Sequence, residues 1–561
     1  MRKNAVLAMA FAFAAAAFFL FAHSIRGASS ADIALNGQVS SVEEGPMEGV
    51  LVSAKRAGST VTTTVVSDGQ GRYTFPAKKL EPGQYAISIR ATGYEVDGPA
   101  VATITSEKTT AVDLKLHKTQ DLAAHLTNAE WLASVPGTQQ QKNTLLSCVG
   151  CHTVERIVRS KYDAAGFIQA ILPRMASYVN QSTPLRPQLR LGARDTALVG
   201  EEQERVQRTQ AEWLSNINLS SSATWAFPLK TLPRPKGQAT RVIITEYDLP
   251  RPTIEPHDVI VDGEGIAWYS NFGEQTLGKL DPKTGKHTEY SVPEPKKGSP
   301  TGALSVRFDK DQNLWLGMMY QASIAKFDKK AETFQVWNIP SELNKANTQI
   351  NMTSPMHIGV DGKVWAQNNG FAGVHRVDLK SGKWETWDPF KGITQRAQYL
   401  RCHRRLPEQR LFHRYRERAH RQDRCEDRQA HAVRDAHPGL GAAPGHGGMM
   451  DAQDRLWFGE YRGNKIAMFD TKSEKFQEWA VPTPWSNPYD VAVDKNGEAW
   501  TGSMLSDRIT RLDPKSGQFV EYLLPRSTNV RRVFVDDSTT PVTFWVGSNH
   551  GASIIKLEPL D

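Results

Sequence analysis

The sequence contains little cysteine, with four residues in a chain of 561. Cys148 and Cys151 are three positions apart, whereas Cys402 and Cys425 lie in a segment of unusual composition. A framework of disulfides is therefore not expected. A chain of this length exceeds what one compact core supports, so we expect several domains.

Long apolar runs are also absent, with one exception at the N-terminus. Arg2 and Lys3 precede an apolar run of 18 residues from Ala5 to Ala22, and the small residues Ser29-Ser30-Ala31 follow it. This arrangement is typical of a signal peptide, which we predict over residues 1–31. An uncleaved membrane anchor is the alternative, given the length of the run. We expect a periplasmic protein of the Gram-negative type, with membrane attachment only if the segment is uncleaved.

Lysine is missing from one basic stretch. Between Arg396 and Asp435 there are 12 Arg, 6 acidic residues and no Lys, and residues 394–447 show no helix or strand period. One interpretation is a basic insert that binds nucleic acid. The other, which we favour, is a shifted reading frame in GC-rich DNA. Without this stretch and the signal peptide the net charge falls from +8 to about −1, so we expect no nucleic-acid partner.

Tryptophan recurs through the C-terminal part of the chain. Six of these Trp residues are each followed by an aliphatic residue nine positions later and an acid thirteen positions later. The steps between them are 47, 50, 92, 43 and 45, so the long step holds two repeats. Units of about 45 residues with four short strands are typical of propeller blades. Six visible repeats and a scrambled fourth predict a seven-bladed β-propeller over residues 237–561. The repeated residues are Trp268, Trp315, Trp365, Trp457, Trp500 and Trp545.

The last repeat lacks an outer strand, because the chain stops three residues after Glu558. The segment from Ile244 to Pro250 has the pattern of the other outer strands, such as Phe519 to Pro525. We predict that it pairs with the last blade and closes the ring, which would leave no open sheet edge.

Three fragments, PHDVIVDGEGIAWYSN, DRLWFGEYRGNKIAMFD and GEAWTGSMLSDRITRLD, resemble the streptogramin (virginiamycin) B lyase family. The resemblance extends from about Val242 to Asp561. It implies a seven-bladed propeller and a metal-dependent C–O lyase site, with Mg²⁺ as the candidate metal. The His and Glu positions of that site are matched by His257 and Glu460.

The match to the lyase site is incomplete. The first blade has Asn271 where an acid is needed, and the third has Met356, with His357 one position away, where a second His is needed. The alternative for both matched residues is a structural role at the mouth of the channel.

Residues 118–236 have helical spacing and contain the motif Cys148-Val149-Gly150-Cys151-His152. Two residues between the thiols let both reach the vinyl groups on one edge of a porphyrin, and His152 then lies under the iron. The motif is the signature of c-type haem attachment. A zinc site needs a second Cys pair and a thioredoxin-like site needs a βαβ context, and both are missing. The segment resembles a small cytochrome c domain with one covalent haem c.

The sixth ligand of the iron has two candidates. Met175 is the only Met in residues 118–236, and its thioether opposite His152 would raise the reduction potential. His125 is the competing ligand, and core packing is the alternative role of Met175. Arg174 could pair with a haem propionate.

The N-terminal residues 32–117 alternate between apolar and polar positions, with turns at Asp68-Gly69 and Pro82-Gly83. The runs Ser67 to Phe75 and Ala91 to Tyr94 resemble the carboxypeptidase regulatory-like domain, which implies a transthyretin-like β-sandwich. No catalytic set is visible in this segment, so we expect an interaction or spacer module, for a glycan or a peptide.

These features together predict a mainly β, multi-domain protein: a β-sandwich, a small helical cytochrome c domain and a seven-bladed propeller. The expected function is periplasmic electron transfer, with a propeller that binds a small-molecule or polymer ligand or docks a redox partner. A metal-dependent lyase, a non-catalytic binding module and a quinohaemoprotein dehydrogenase subunit are the alternatives. Whether the protein is an enzyme stays open from sequence.

Overall fold

The computed structural model describes residues 33–192, 200–354, 363–368, 373–387 and 445–561. This part of the chain is mainly β, with strands in seven sheets and a few short helices. The predicted signal peptide and most of residues 394–447 lie outside the described residues, as do Met356, His357, Cys402 and Cys425.

The N-terminal sandwich consists of ten strands, which are β1 (Ile33–Ser41), β2 (Gly45–Pro46), β3 (Leu51–Arg56), β4 (Val61–Val66), β5 (Arg72–Pro76), β6 (Gly83–Arg90), β7 (Tyr94–Val96), β8 (Ala100–Ile104), β9 (Thr110–Ala111) and β10 (Leu114–Lys118). One sheet has the order β2-β1-β10-β7, with β5 and β9 also paired to β1, and the other contains β4-β3-β6-β8. Tyr85 and Ile87 of β6 are buried while Gln84 and Ala86 are exposed, so one face of the strand packs in the core.

Short helices occupy the segment after the sandwich, namely α1 (Asn128–Ser134), α2 (Gln139–Leu145), α3 (Glu155–Val158), α4 (Ala164–Gly166), α5 (Leu172–Ser177) and α6 (Gly200–Ile217). Thr127 and Glu130 form a capping box at the start of α1, and Thr138 and Gln141 form another at the start of α2. The spacing T-x-x-E/Q therefore sets both helix starts. None of the described helices is long and apolar enough to cross a membrane.

The propeller contains the remaining strands, which are β11 (Val242–Asp248), β12 (Pro256–Val261), β13 (Ala267–Asn271), β14 (Thr276–Asp281), β15 (Lys286–Ser291), β16 (Val306–Phe308), β17 (Leu314–Gly317), β18 (Ser323–Asp328), β19 (Thr333–Asn338), β20 (Ile350–Ser354), β21 (Lys363–Asn368), β22 (Gly373–Asp378), β23 (Trp384–Trp387), β24 (Gly445–Met450), β25 (Arg455–Glu460), β26 (Lys465–Asp470), β27 (Lys475–Ala480), β28 (Pro488–Val493), β29 (Ala499–Ser503), β30 (Arg508–Asp513), β31 (Gln518–Leu523), β32 (Val533–Asp536), β33 (Thr543–Ser548) and β34 (Ser553–Pro559). Five blades are consecutive four-stranded sheets from β12 to β31, and a sixth contains β32-β33-β34-β11. The predicted scrambled blade falls in 388–444, outside the described residues, so the number seven stays a prediction.

One hydrogen bond explains why Trp recurs in the repeat. In the blade β28–β31, Trp500 Nε1 donates to Asp494 Oδ2 at 2.9 Å, while Asp494 Oδ1 accepts the backbone N–H of Asn496 and of Glu498. The Asp that ends the inner strand therefore closes the turn and anchors the Trp of the second strand. The same bond joins Trp268 to Asp262, Trp315 to Asp309 and Trp457 to Asp451.

The strand β11 closes the ring, as the sequence predicted. It pairs antiparallel with β34 from Val242↔Pro559 to Asp248↔Ser553. Its other edge pairs with β4 of the sandwich, from Ile243↔Val65 to Tyr247↔Val61. The sandwich sheet and the last blade therefore form one eight-stranded sheet, β32-β33-β34-β11-β4-β3-β6-β8. This second pairing was not predicted.

Candidate functional site

The starts of three inner strands carry pairs of side chains, all of them buried except the half-buried Tyr489. The register with the second strand shifts between Pro256 and Val259 and between Pro488 and Val491. A bulge of this kind re-aims side chains. The residues at these positions are His257 and Asp258 before Val259, Tyr489 and Asp490 before Val491, and Arg531 and Arg532 before Val533.

The second member of each pair belongs to a buried ion-pair layer. Arg532 Nη1 lies 3.0 Å from Asp490 Oδ1, and its Nε lies 4.0 Å from Asp258 Oδ1. Arg307 Nη1 is 2.5 Å from Asp258 Oδ2. Against the effect of burial, Arg307 and His257 hold the pKa of Asp258 at about 2. Each carboxylate faces an arginine, so removing one partner would leave an uncompensated charge buried among the inner strands.

The first member of the first pair, His257, is fully buried. Its Nδ1 lies 2.7 Å from Asp258 Oδ1. Burial lowers the pKa of the imidazole to about 4, so Nδ1–H donates to the carboxylate and Nε2 carries the lone pair. Nε2 has no hydrogen-bond partner among the described residues. The ring centroids of Phe272 and Tyr489 are 4.9 and 5.9 Å away. His257 is therefore a neutral base in an aromatic environment.

Glu255, two residues earlier, is also buried. Burial raises the pKa of its carboxyl group to about 8, although Arg531 and Arg186 act in the opposite direction. Its Oε1 has no hydrogen-bond partner in the described part of the chain. At neutral pH this carboxyl group therefore retains its proton most of the time.

The cysteine loop lies against the same end of the propeller. Asn529 Nδ2 donates to Val149 O at 3.2 Å, and Arg531 Nη2 donates to Gly150 O at 3.0 Å. His550 Nε2 donates to the same carbonyl at 3.2 Å. Three propeller side chains, Tyr461, Met504 and Leu505, also belong to the hydrophobic core that contains Cys148. The structure thus joins the motif and the channel mouth, which the sequence left as separate features.

Both cysteines of the motif are free thiols. Burial raises the pKa of Cys148 to about 12 and also raises the pKa of Cys151. The thiols are therefore protonated near neutral pH, whereas a reactive redox dithiol requires a lowered pKa.

His152 has a defined tautomer. Its Nδ1 is 2.9 Å from Thr153 O, and because a carbonyl only accepts, Nδ1 carries the hydrogen and Nε2 presents a lone pair. Burial also lowers the pKa of the imidazole, which favours the neutral form. Histidines that bind a metal through one ring nitrogen often have this arrangement, in which the other ring nitrogen donates to a backbone carbonyl. The residues of the motif therefore fit a haem with His152 as an axial ligand.

The other predicted haem residues occupy different environments. Met175 is partly buried and packs against the hydrophobic core that contains Cys148, while Arg174 on the same helix is exposed. His125 Nε2 lies 3.5 Å from Glu95 Oε1 of the sandwich. The competing ligand is thus paired with an acid, whereas Met175 packs against the same hydrophobic core as Cys148.

The two lyase-like candidates have different surroundings. His257 contacts Asp258 and two aromatic rings, whereas Glu460 ends β25 opposite Lys465 and near Glu478. Burial, and then Glu478, raise the pKa of Glu460 to about 7. Across the described ranges, no group of three or more His, Cys, Asp or Glu could hold a metal ion. Magnesium in the propeller stays a prediction.

Residues 178–192, which follow α5, contact the first two propeller blades and were assigned no role from sequence. Gln188 Nε2 donates to Gly273 O at 3.0 Å and to Thr301 O at 3.2 Å. Arg190 Nη1 donates to Tyr320 Oη at 3.1 Å. No sequence signal marks this segment. Arg531 could have been found, because it takes the position of His257 when the last repeat is aligned with the first.

The comparison with family models concerns the sandwich. Residues 34–117 match the model of the carboxypeptidase regulatory-like domain. The N-terminal sandwich is such a domain. This confirms the resemblance seen in the sequence. No curated protein sequence matches the chain significantly.

Solved structures of propeller proteins resemble a little over half of the chain. A streptogramin B lyase structure has 20% identity, covering 57% of this chain and 87% of that chain, with a TM-score of 0.33. Virginiamycin B lyase from Staphylococcus aureus has 18% identity, with 56% and 87% covered and a TM-score of 0.33. A gluconolactonase from Xanthomonas campestris has 12% identity, with 57% and 90% covered and a TM-score of 0.34. These similarities concern the propeller fold alone.

Proposed function

We propose that the protein is an exported c-type cytochrome that binds one haem c at Cys148 and Cys151 and transfers electrons in the periplasm. The observation that carries this proposal is the Cys-x-x-Cys-His loop, with two free thiols and a histidine whose unprotonated Nε2 can bind a metal. When bound, haem c would supply one-electron transfer.

The thiols suit covalent attachment. Cys148 and Cys151 would hold the haem covalently as thioethers, and both are free thiols, so no disulfide has to be reduced first. The backbone holds the loop in a helical turn, since Cys148 N donates to Leu145 O at 2.9 Å and Cys151 N donates to Cys148 O at 3.1 Å. This turn brings both thiols and His152 to one side.

The position of the loop supports a role for the propeller in redox function. The loop contacts Arg531 at the start of the last blade, and His257 of the first blade is fully buried. A substrate of a lyase would need access to that imidazole, so its burial argues against the lyase alternative. In this proposal the propeller holds the haem loop and presents a surface to a periplasmic redox partner.

Attachment is tested by expressing the full chain together with a haem c maturation system. We expect purified protein to keep its pigment after acid–acetone extraction and to give a c-type α-band on reduction with dithionite. The double variant Cys148→Ala/Cys151→Ala should lose all covalent pigment. Cys402→Ala/Cys425→Ala is the matched control and should keep it. Wild-type protein that releases all its pigment, or binds none, would contradict the proposal.

Met175 is proposed as the sixth ligand, because it packs against the core that contains Cys148. Met175→Leu removes the thioether while keeping the volume, and should lower the reduction potential and change the ferric spectrum to that of an iron lacking a strong sixth ligand. Met504→Leu, a buried methionine of the same core, is the control and should leave the spectrum unchanged. If the spectrum of Met175→Leu is the same as that of the control Met504→Leu, Met175 is not a ligand and only packs in the core.

A further inference from the structure

The last blade holds the haem-attachment loop through two consecutive backbone carbonyls. Val149 O accepts from Asn529, and Gly150 O accepts from both Arg531 and His550. A carbonyl oxygen has two lone pairs, so Gly150 O is fully used by the propeller. Burial, followed by the charge of Arg531, lowers the pKa of His550 to about 3, so its Nε2–H donor is a neutral imidazole at physiological pH.

Arg531 is a buried cation with neutral partners. The residue is 5% exposed, its Nε donates to Asn529 Oδ1 at 2.9 Å, and its guanidinium lies 4.7 Å from the ring centroid of Phe272. No carboxylate is within ion-pair distance of Arg531 in the described part of the chain, in contrast to Arg532, which faces Asp490 at 3.0 Å. Burying a charge without a counter-ion raises the free energy of the folded state. We therefore expect Arg531 to have a functional role.

The charge of Arg531 acts on the motif itself. Arg531 Nη2 donates to Gly150 O, the carbonyl of the residue directly before Cys151, at 3.0 Å. Glu255, the acid that acts electrostatically on Arg531, makes no ion pair with it among the described residues, and burial raises the pKa of its carboxyl group, which disfavours the charged form. A group covalently held at Cys151 would therefore feel a largely uncompensated positive charge. Such a charge favours the state with one more electron.

We propose that the last blade completes the haem site, with Arg531 as a positioning residue that holds the attachment loop and raises the reduction potential. This inference rests on the proposed function and assigns the propeller a part in setting the redox properties. It accounts for both unusual features of Arg531, its bond to the loop and its lack of a counter-ion.

The test compares the reduction potentials of full-length, haem-loaded variants by spectroelectrochemical titration. Arg531→Gln removes the charge and should lower the potential by at least a tenfold change in the ferric–ferrous equilibrium, about 59 mV for one electron. Arg531→Lys keeps the charge and should stay near wild type. Arg526→Gln removes an arginine that pairs with Glu246 and Asp248 instead, and as the control should leave the potential unchanged.

A second variant covers the case in which Arg531→Gln fails to fold. Asn529→Asp is nearly isosteric and places a carboxylate beside Arg531 Nε. It neutralises the cation without removing it, although it also removes the Nδ2 donor to Val149 O, and it should also lower the potential. Wild-type potentials in Asn529→Asp, and in Arg531→Gln where it folds, would overturn the inference while the cytochrome function stands. A wild-type protein without covalent haem would instead overturn the proposed function.

Discussion

Ile243 and Ile244 are adjacent in β11, yet they pack in two different hydrophobic cores. Ile243 belongs to the core of the sandwich, whereas Ile244 belongs to the core between the last two blades. This division follows from strand geometry, since successive side chains point to opposite faces of a sheet. One strand therefore couples the two folds through its side chains as well as through its hydrogen bonds.

The first prediction concerns this coupling. Ile243→Ala and Ile244→Ala should each lower the free energy of unfolding by about 2–5 kcal/mol, because each removes a fully buried side chain. Both should shift the same thermal transition, measured by circular dichroism or calorimetry. Val101→Ala on the edge strand β8, where the side chain is exposed, is the control with little effect. Two separate transitions, each moved by only one substitution, would show that the folds are uncoupled.

Ion pairs across the same seam differ in strength. Arg90 Nη2 of the sandwich lies 2.6 Å from Asp507 Oδ2 of the propeller, and the Asp507 side chain is only 2% exposed. Arg90→Met leaves this carboxylate buried without its cation and should cost about 3–5 kcal/mol in denaturant unfolding. Lys55→Met removes a more exposed partner of Asp248 and should cost at most about 1 kcal/mol. Equal losses in the two variants would contradict the distinction.

The hydrogen bond between Asp494 and Trp500 gives a third prediction. Asp494→Ala leaves the buried indole N–H and two turn N–H groups without their acceptor. We expect a loss of about 2–4 kcal/mol in the free energy of unfolding. Asp513→Ala removes an exposed turn acid of the same blade and should have a much smaller effect. A small loss in Asp494→Ala would mean that the Trp is held by packing alone.

The pH dependence of stability should report His257. Its folded-state pKa of about 4 lies below the ordinary value of 6.5 because of burial, so below pH 6.5 the unfolded chain binds a proton that the folded chain refuses. Stability should therefore fall as the pH drops from about 6.5 to 4, by about 3 kcal/mol in total from this group. His257→Asn should make that part of the profile less steep by this amount, with buried His550 still contributing, and the exposed His117→Asn should not. An unchanged slope in His257→Asn would place the acid sensitivity elsewhere.

The parts of the fold that the sequence predicted depend on the spacing between residues that are close together along the chain. The step from Asp262 to Trp268 is fixed by one hydrogen bond within a blade, so it repeats with the blade. The closing strand around Ile244 could be found because its pattern matches the other outer strands. The pairing of β11 with β4 has no such signal. The sequence pattern of each strand predicts a strand but does not indicate whether its other edge pairs or faces solvent.

The candidate site divides in the same way. The spacing of Cys148, Cys151 and His152 identified the motif directly. Its contact with the propeller was missed because Val149 and Asn529 are separated by 380 positions, and only the folded chain brings them together. His257 was identified through a family resemblance, and in the structure it lies beside Asp258 between the rings of Phe272 and Tyr489.

The double-sided pairing of β11 has a practical consequence for dissecting this chain. A fragment that starts at residue 237 would expose the edge of β11 that β4 covers, with its unpaired amides and carbonyls. Such a fragment would tend to aggregate through strand pairing between the exposed edges of two molecules. A propeller fragment made by proteolysis or by cloning should therefore retain residues 33–118 or include a substitute strand that pairs with β11.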